Sequence, residues 1–269
     1  KARENAVMMY LNDIKQYANI LTGSNNILAI EYLKAIKKLK SKLNPIGIRR
    51  EKVLYNDEII IDDFASATAI RKMIATGQFS DIQKVMPKSS YALLADELRK
   101  GHYVLDLSKF QKEIIYNLRK MSVEEIAQLV DVSEGLENAI KNAANSSNNL
   151  VDFVNIVKSK RYTQTRIQRI LIYALLGITN SKMLAFKKAV PYARVLGFNE
   201  NGKQLISQIA KKNKKVQIVT SVKKYMDESK NKVLKEMLET DILATNVYTL
   251  GYEKDSWSNL DYTNKLVTM

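Results

Sequence analysis

Apolar positions recur at helical spacing over most of the chain. Val7, Leu11, Ile14, Ala18 and Leu21 alternate steps of four and three, which predicts an amphipathic helix broken at Gly23-Ser24-Asn25-Asn26. Asn or Ser at that break can cap a second helix over Ile27–Ser41. Pro45–Arg50 reads as a short strand and Tyr55–Asp63 as a loop or irregular strand. Ser66–Thr76 reads as a helix stopped by Gly77. Beyond Pro87 the pattern predicts helices over Tyr91–Lys100, Lys109–Lys120, Val123–Leu129, Glu134–Ala144, Leu150–Lys158 and Gln164–Leu176. The period then changes. Tyr192–Phe198 predicts a strand, Lys203–Lys211 a helix, Val216–Val222 a β-rich stretch and Lys230–Leu243 a helix. With only three prolines and nine glycines to interrupt them, long helices are favoured. The expected fold is mainly α with α/β portions. Residues 1–87 form part of an α/β domain, 88–180 a helical domain, and 181–269 a small basic α/β extension.

Composition removes several chemistries. Cysteine is absent, so disulfides, thiol catalysis and thiolate metal sites are excluded. His102 is the single histidine, which leaves little material for a histidine zinc site or a His-dependent acid–base pair. No metal site is expected, and the acidic residues Asp57, Glu58, Asp62 and Asp63 read as a solvated loop. The longest apolar run, Ile170–Ile178, is too short to span a bilayer. No signal-peptide pattern opens the sequence, and the expected location is the cytoplasm.

Charge is the more informative property. The net charge is +15, and Phe153–Met226 carries all of it: 16 Lys and Arg against one acid, Glu200, leaving 27 of each sign elsewhere. Like charges held together cost stability, so an unbalanced region of this kind points to a polyanionic partner. Within it, Ile167, Ile170, Leu171 and Ala174 share one helical face, while Arg166 and Arg169 share another. Lys158, Lys160 and Arg161 sit at the entry to that helix, and Tyr162 offers a ring for stacking on an unpaired base. No acid lies between Asp152 and Glu200 along the chain. These six residues, Lys158, Lys160, Arg161, Tyr162, Arg166 and Arg169, are the expected nucleic-acid contacts, and the resemblance given below implies that the nucleic acid is RNA. A second candidate is the helix start at Ala65-Ser66-Ala67-Thr68-Ala69-Ile70-Arg71-Lys72. Free N–H groups at a helix N-terminus favour phosphate, Ser66 and Thr68 add hydroxyls, and Arg71 reaches the same turn. The plainer alternative is a capped surface helix with an incidental arginine.

These segments do not stand alone. Asn25 to Ala35, Ala65 to Lys72, Glu134-Gly135-Leu136-Glu137-Asn138, Lys158 to Arg169, and Tyr192-Ala193-Arg194-Val195-Leu196-Gly197-Phe198 occur in order. Together they resemble the bacterial tRNA(Met) cytidine acetate ligase family of the nucleotidyltransferase superfamily. The resemblance runs from about Ser24 to Val222. It implies that the first domain is the C-terminal part of a Rossmann-like nucleotidyltransferase domain, followed by a helical tRNA-binding domain. It also implies a two-step reaction. ATP, with Mg²⁺, and acetate give acetyl-adenylate and pyrophosphate, and the acetyl group passes to the wobble cytidine of elongator tRNA(Met) as N4-acetylcytidine. Carried over residue by residue, Asn25 and Arg50 are ATP contacts, and Ser66, Thr68 and Arg71 match the phosphate-binding signature.

Two departures stand out. Ala29 occupies a position where the family often has Gly. The family's N-terminal strand and histidine-bearing turn have no counterpart here. The resemblance therefore implies the C-terminal two-thirds of the enzyme, catalytically incomplete by itself, with no catalytic residue assigned and His102 structural or merely exposed. No membrane association and no protein partner are expected. The alternative is a non-catalytic helical RNA-binding protein, which has no need of the Ser66–Arg71 phosphate signature. A DNA-binding regulator would need a recognition-helix pair or dimerising heptads, and neither is evident in the sequence.

Overall fold

The computed structural model describes residues 23–48, 60–213 and 215–269. The expected Val7–Leu21 helix and Arg50 lie outside the described residues. The chain divides into two compact units, residues 1–95 and 96–269.

In the first unit, α1 (Ser24–Lys38) ends on Lys37 and Lys38, cations that suit the negative end of a helix dipole. The expected strand at Pro45 is not formed over its described part. Residues 41–48 have no regular structure, and Ile46 and Ile48 are 84% and 93% exposed. A strand needs a partner for its backbone groups, and this stretch has no strand pairing among the described residues. Sheet structure in the described part of this unit is one antiparallel hairpin. Its strands β1 (Ile60–Ile61) and β2 (Phe64–Ala65) turn through Asp62 at φ 52°. The parallel sheet of a Rossmann-like domain is thus not present among the described residues. Next comes α2 (Ala67–Ala75), where the Ser66 hydroxyl caps the first turn by accepting from the Ala69 N–H at 3.0 Å. Gly77, at φ 74°, follows its end as the sequence predicts. Ala69 and Met73 of α2 pack on Ile82 of α3 (Phe79–Lys84). That helix has six residues, too few to show a period in the sequence.

The division between the units falls inside α4 (Lys88–Lys100), which starts directly after Pro87. The core of the second unit is a helical bundle. A 3-10 turn (Leu107–Phe110) leads into α5 (Gln111–Lys120), followed by α6 (Val123–Ala127), α7 (Leu136–Ser146), α8 (Leu150–Val157) and α9 (Gln164–Leu176). Each helix turns its apolar stripe inward, and Leu118, Ile126, Leu136, Ile140, Phe153 and Ile170 are fully buried. The ends of two helices are bound reciprocally. Arg119 at the end of α5 donates to the carbonyls of Ala144 and Ser147 at 2.7 and 2.9 Å. Lys141 of α7 donates to those of Arg119 and Met121 at 2.6 and 2.5 Å. Charged donors thereby satisfy carbonyls that a helix C-terminus leaves without partners.

After α9 comes α10 (Asn180–Lys188), a helix the sequence pattern does not reveal. The expected strand Tyr192–Phe198 is instead two short strands, β3 (Ala193–Arg194) and β4 (Gly197–Phe198). Each finds a different parallel partner: β3 pairs with β5 (Ile218–Val219), and β4 with β6 (Val267–Thr268). Between them run α11 (Glu200–Lys212), α12 (Val222–Glu228), α13 (Lys232–Thr249) and α14 (Leu260–Thr263). The β-rich reading of Val216–Val222 holds only at Ile218–Val219, since Val222 opens α12. Helix α13 runs past the expected end at Leu243. The hydroxyls of Thr240, Thr245 and Thr249 donate back to carbonyls of the preceding turn, which satisfies these polar groups inside the helix. A second buried cluster, Val219, Val222, Leu238 and Ile242, holds this part together. Tyr192 packs on it. Burial, then its hydrogen bond to Asp241, holds the Tyr192 hydroxyl well above the usual tyrosine pKa.

Candidate functional site

The basic segment folds around the start of α9. Ile167, Ile170, Leu171 and Ala174 are buried, so the rest of the helix surface is fixed in orientation. On that surface Arg166 and Arg169 both reach the loop 131–134. Arg166 donates through Nε and Nη2 to the Asp131 carbonyl at 3.0 and 2.7 Å, and through Nη2 to Ser133 Oγ at 3.0 Å. Arg169 pairs with the Asp131 carboxylate at 2.9 Å. Arg161 lies 3.3 Å from the Glu134 carboxylate. Tyr162 donates its hydroxyl to the Glu134 carbonyl at 3.3 Å, and the Arg166 guanidinium sits 5.2 Å from its ring centroid.

This loop carries three successive departures into left-handed backbone, Asp131, Glu134 and Gly135, with φ of 68°, 60° and 84°. Such a loop has few backbone bonds of its own, and the arginines supply them. The segment free of acids along the chain is therefore not free of them in space, because Asp131 and Glu134 are brought onto it. Of the six expected RNA contacts, Arg161, Tyr162, Arg166 and Arg169 meet at the loop 131–134, and they differ in kind. Tyr162 and Arg166 are half-buried and hold the loop. Lys158, Lys160, Arg161 and Arg169 are exposed, the last two in surface ion pairs worth little in water.

The positive surface also extends further than those six residues. Lys187 and Lys188 of α10, Lys203, Lys211 and Lys212 of α11, Lys215, and Lys223 and Lys224 of α12 are all exposed. The charge count to Met226 already contained them, but a search for helical faces with mixed apolar and basic positions passes them by.

In the first unit, Asn25 is exposed in the first turn of α1. Ser66 is buried, its oxygen engaged as the α2 cap, while Thr68 is half-buried and Arg71 exposed on the turns that follow. The buried cluster around α2 contains no residue of α1. The His102 ring stacks on Tyr252 at 5.1 Å, with Nδ1 3.3 Å from Glu97. Among the described residues there is no group of acids or histidines suited to a metal ion, and no helix long and apolar enough to cross a membrane.

The sequence model of the HIGH nucleotidyl transferase family matches residues 1–262, and the chain belongs to that family. Among curated proteins it is similar to a tRNA(Met) cytidine acetate ligase of Thermoanaerobacter pseudethanolicus. The two are 39% identical over 269 residues, covering all of this chain and 65% of the relative. The enzyme of the same name from Acetivibrio thermocellus is 38% identical over 276 residues, covering all of this chain and 66% of the relative. The chain thus spans about 65% of the length of these relatives. Among solved structures it resembles Thermotoga maritima TmcAL in its apo form, with a TM-score of 0.90 at 25% identity over all of this chain and 66% of that one. The form of TmcAL bound with alpha-thio ATP shares the fold at a TM-score of 0.87 and 24% identity.

Proposed function

We propose that this chain supplies the RNA-binding part, and one wall of the nucleotide site, of an enzyme that uses ATP and acetate to form N4-acetylcytidine in a tRNA, expected to be elongator tRNA(Met). The observation that carries the reading is the exposure of Lys158, Lys160 and Arg161 on the segment leading into α9, and of Arg169 on α9 itself, in a chain whose relatives are named for acting on tRNA. Phosphate contacts fix the register of an RNA, and base contacts choose among sequences.

In this reading residues 1–87 are nucleotide-binding, 88–180 hold the tRNA and 181–269 extend the basic surface. Arg71 places a guanidinium on the β- or γ-phosphate. Thr68 and the α2 backbone donate to the same group, and the Ser66 cap fixes that turn. Asn25 and Arg50 contact the remainder of the nucleotide. Mg²⁺ enters with the ATP phosphates rather than on a protein cage. Acetyl-adenylate is the activated intermediate, and the cytidine amine attacks its carbonyl with AMP leaving.

The test uses the full-length protein carrying this chain, incubated with ATP, acetate and tRNA, with nucleosides analysed by mass spectrometry. N4-acetylcytidine that depends on both ATP and acetate is the expected product. Arg71→Ala should weaken ATP binding about tenfold or more, the loss of one charge-assisted hydrogen bond. Binding of tRNA with no acetylation under any condition would overturn the enzymatic reading and leave a non-catalytic RNA-binding protein.

A further inference from the structure

A cleft of about 670 Å³ opens in the second unit, lined by residues within 194–196, 219–222 and 261–267. Its floor holds an ion pair. Asp261, 9% exposed, accepts through Oδ1 from Nη2 of Arg194. The other carboxylate oxygen, Oδ2, is buried and has no hydrogen-bond partner among the described residues. A buried acceptor without a donor is costly, and a carboxylate oxygen more so than most. Arg194 has five N–H donors, of which Nη2 meets Asp261. Asp261, which lines the cleft beside the Arg194 guanidinium, therefore has a buried carboxylate oxygen in need of a donor. Tyr262 lines the same cleft and is 41% exposed. Lys265, Ser221 and Asn264 line it too and are exposed.

We infer that this cleft binds an unpaired nucleobase of RNA that carries an exocyclic amine beside an acceptor ring nitrogen on its pairing edge, as cytosine and adenine do. The amine donates to Asp261 Oδ2, and the ring nitrogen accepts from Arg194. Uracil has no amine and presents a carbonyl beside an N–H on that edge, so it would set a carbonyl against the Asp261 carboxylate; guanine can donate to Asp261 but has no acceptor ring nitrogen on that edge for Arg194. Tyr262 offers the stacking face that unpaired bases use. Lys265, Ser221 and Asn264 are placed for the flanking phosphates. The volume is within the range of roughly 300–1,000 Å³ usual for small-ligand sites. RNA is favoured over a free nucleotide because Lys223 and Lys224 continue the exposed positive charge directly from the cleft wall at Val222. The inference rests on the RNA-binding reading above and adds to it a second contact, one that selects among bases.

The test measures binding of the 269-residue chain, at fixed salt, to tRNA, hexacytidylate, hexauridylate and cytidine monophosphate. The expected result is hexacytidylate about tenfold tighter than hexauridylate, with the monophosphate far weaker than either. Asp261→Asn replaces the Oδ2 acceptor with an amide donor and should erase or reverse that preference. Tyr262→Leu should weaken hexacytidylate about tenfold while leaving the salt dependence of tRNA binding unchanged. Should Asp261→Asn fail to keep the parent's circular dichroism, Tyr262→Leu decides alone. Equal binding of the two hexamers, or an unaltered Tyr262→Leu variant, in a parent that binds tRNA would overturn the base pocket only. A monophosphate as tight as the hexamer would overturn the RNA assignment of the cleft. A parent that binds no RNA at all would overturn the wider reading and the pocket with it.

Discussion

Replacing Phe153 with alanine should cost the second unit about 3–5 kcal/mol, the range for emptying an aromatic site in a closed core. Phe153 is fully buried on α8, inside the cluster that includes Ile140, Ile167 and Leu171. It lies at the start of the basic region, yet its work is apolar: it supports the inner face of α9, whose outer face carries the arginines. A stability of 5–15 kcal/mol is usual for a domain, so a loss of this size leaves little in reserve. Denaturant unfolding followed by circular dichroism should show a lower midpoint with an unchanged slope, and tRNA binding should fall with the folded fraction. A loss under about 1 kcal/mol would mean that the bundle core does not close around this ring.

Arg166→Gln should cost about 2–3 kcal/mol, and Arg169→Gln well under 1 kcal/mol, although both are arginines on the same helix. Arg166 makes three hydrogen bonds to Asp131 and Ser133 and lies against Tyr162, so its removal leaves the Asp131 carbonyl and the left-handed loop without their donors. Arg169 has one exposed carboxylate partner, at 52% and 35% side-chain exposure. Thermal unfolding of the two variants side by side checks the contrast. Equal losses would show that the two guanidinium groups have the same environment.

The same pair shows where sequence reasoning stops. The spacing of Ile167, Ile170 and Leu171 identified the buried face of α9 and gave its ends, Gln164 and Leu176, because one period governs a helix packed on one side. By the same pattern Arg166 and Arg169 both face away from the core. That Asp131 meets that face, and Glu134 the segment before it, is a matter of tertiary contact across 27 to 38 residues, to which no local period responds. The strands were the least legible. Residues 192–198 have the β-rich composition, but two residues pair with β5 and two with β6, and a split of this kind depends on partners far along the chain. Asp261 and Tyr262 carried no motif. They become a candidate site only because the fold sets them beside Arg194.

The central claim is that the exposed basic surface beginning at Lys158 grips tRNA through its phosphates. The most direct measurement is a salt titration of tRNA affinity for the parent chain, a Lys158→Gln/Lys160→Gln variant and a Lys37→Gln/Lys38→Gln control. All four lysines are exposed, so none of the changes should disturb folding. Neutralising phosphates releases counterions, so the parent's affinity should fall steeply and linearly in logarithm as salt rises. The Lys158/Lys160 variant should bind more weakly, with a slope shallower by about one unit for each lost phosphate contact, and the control should follow the parent. A parent affinity insensitive to salt, or a Lys158/Lys160 variant with the parent's affinity and slope, would contradict the account.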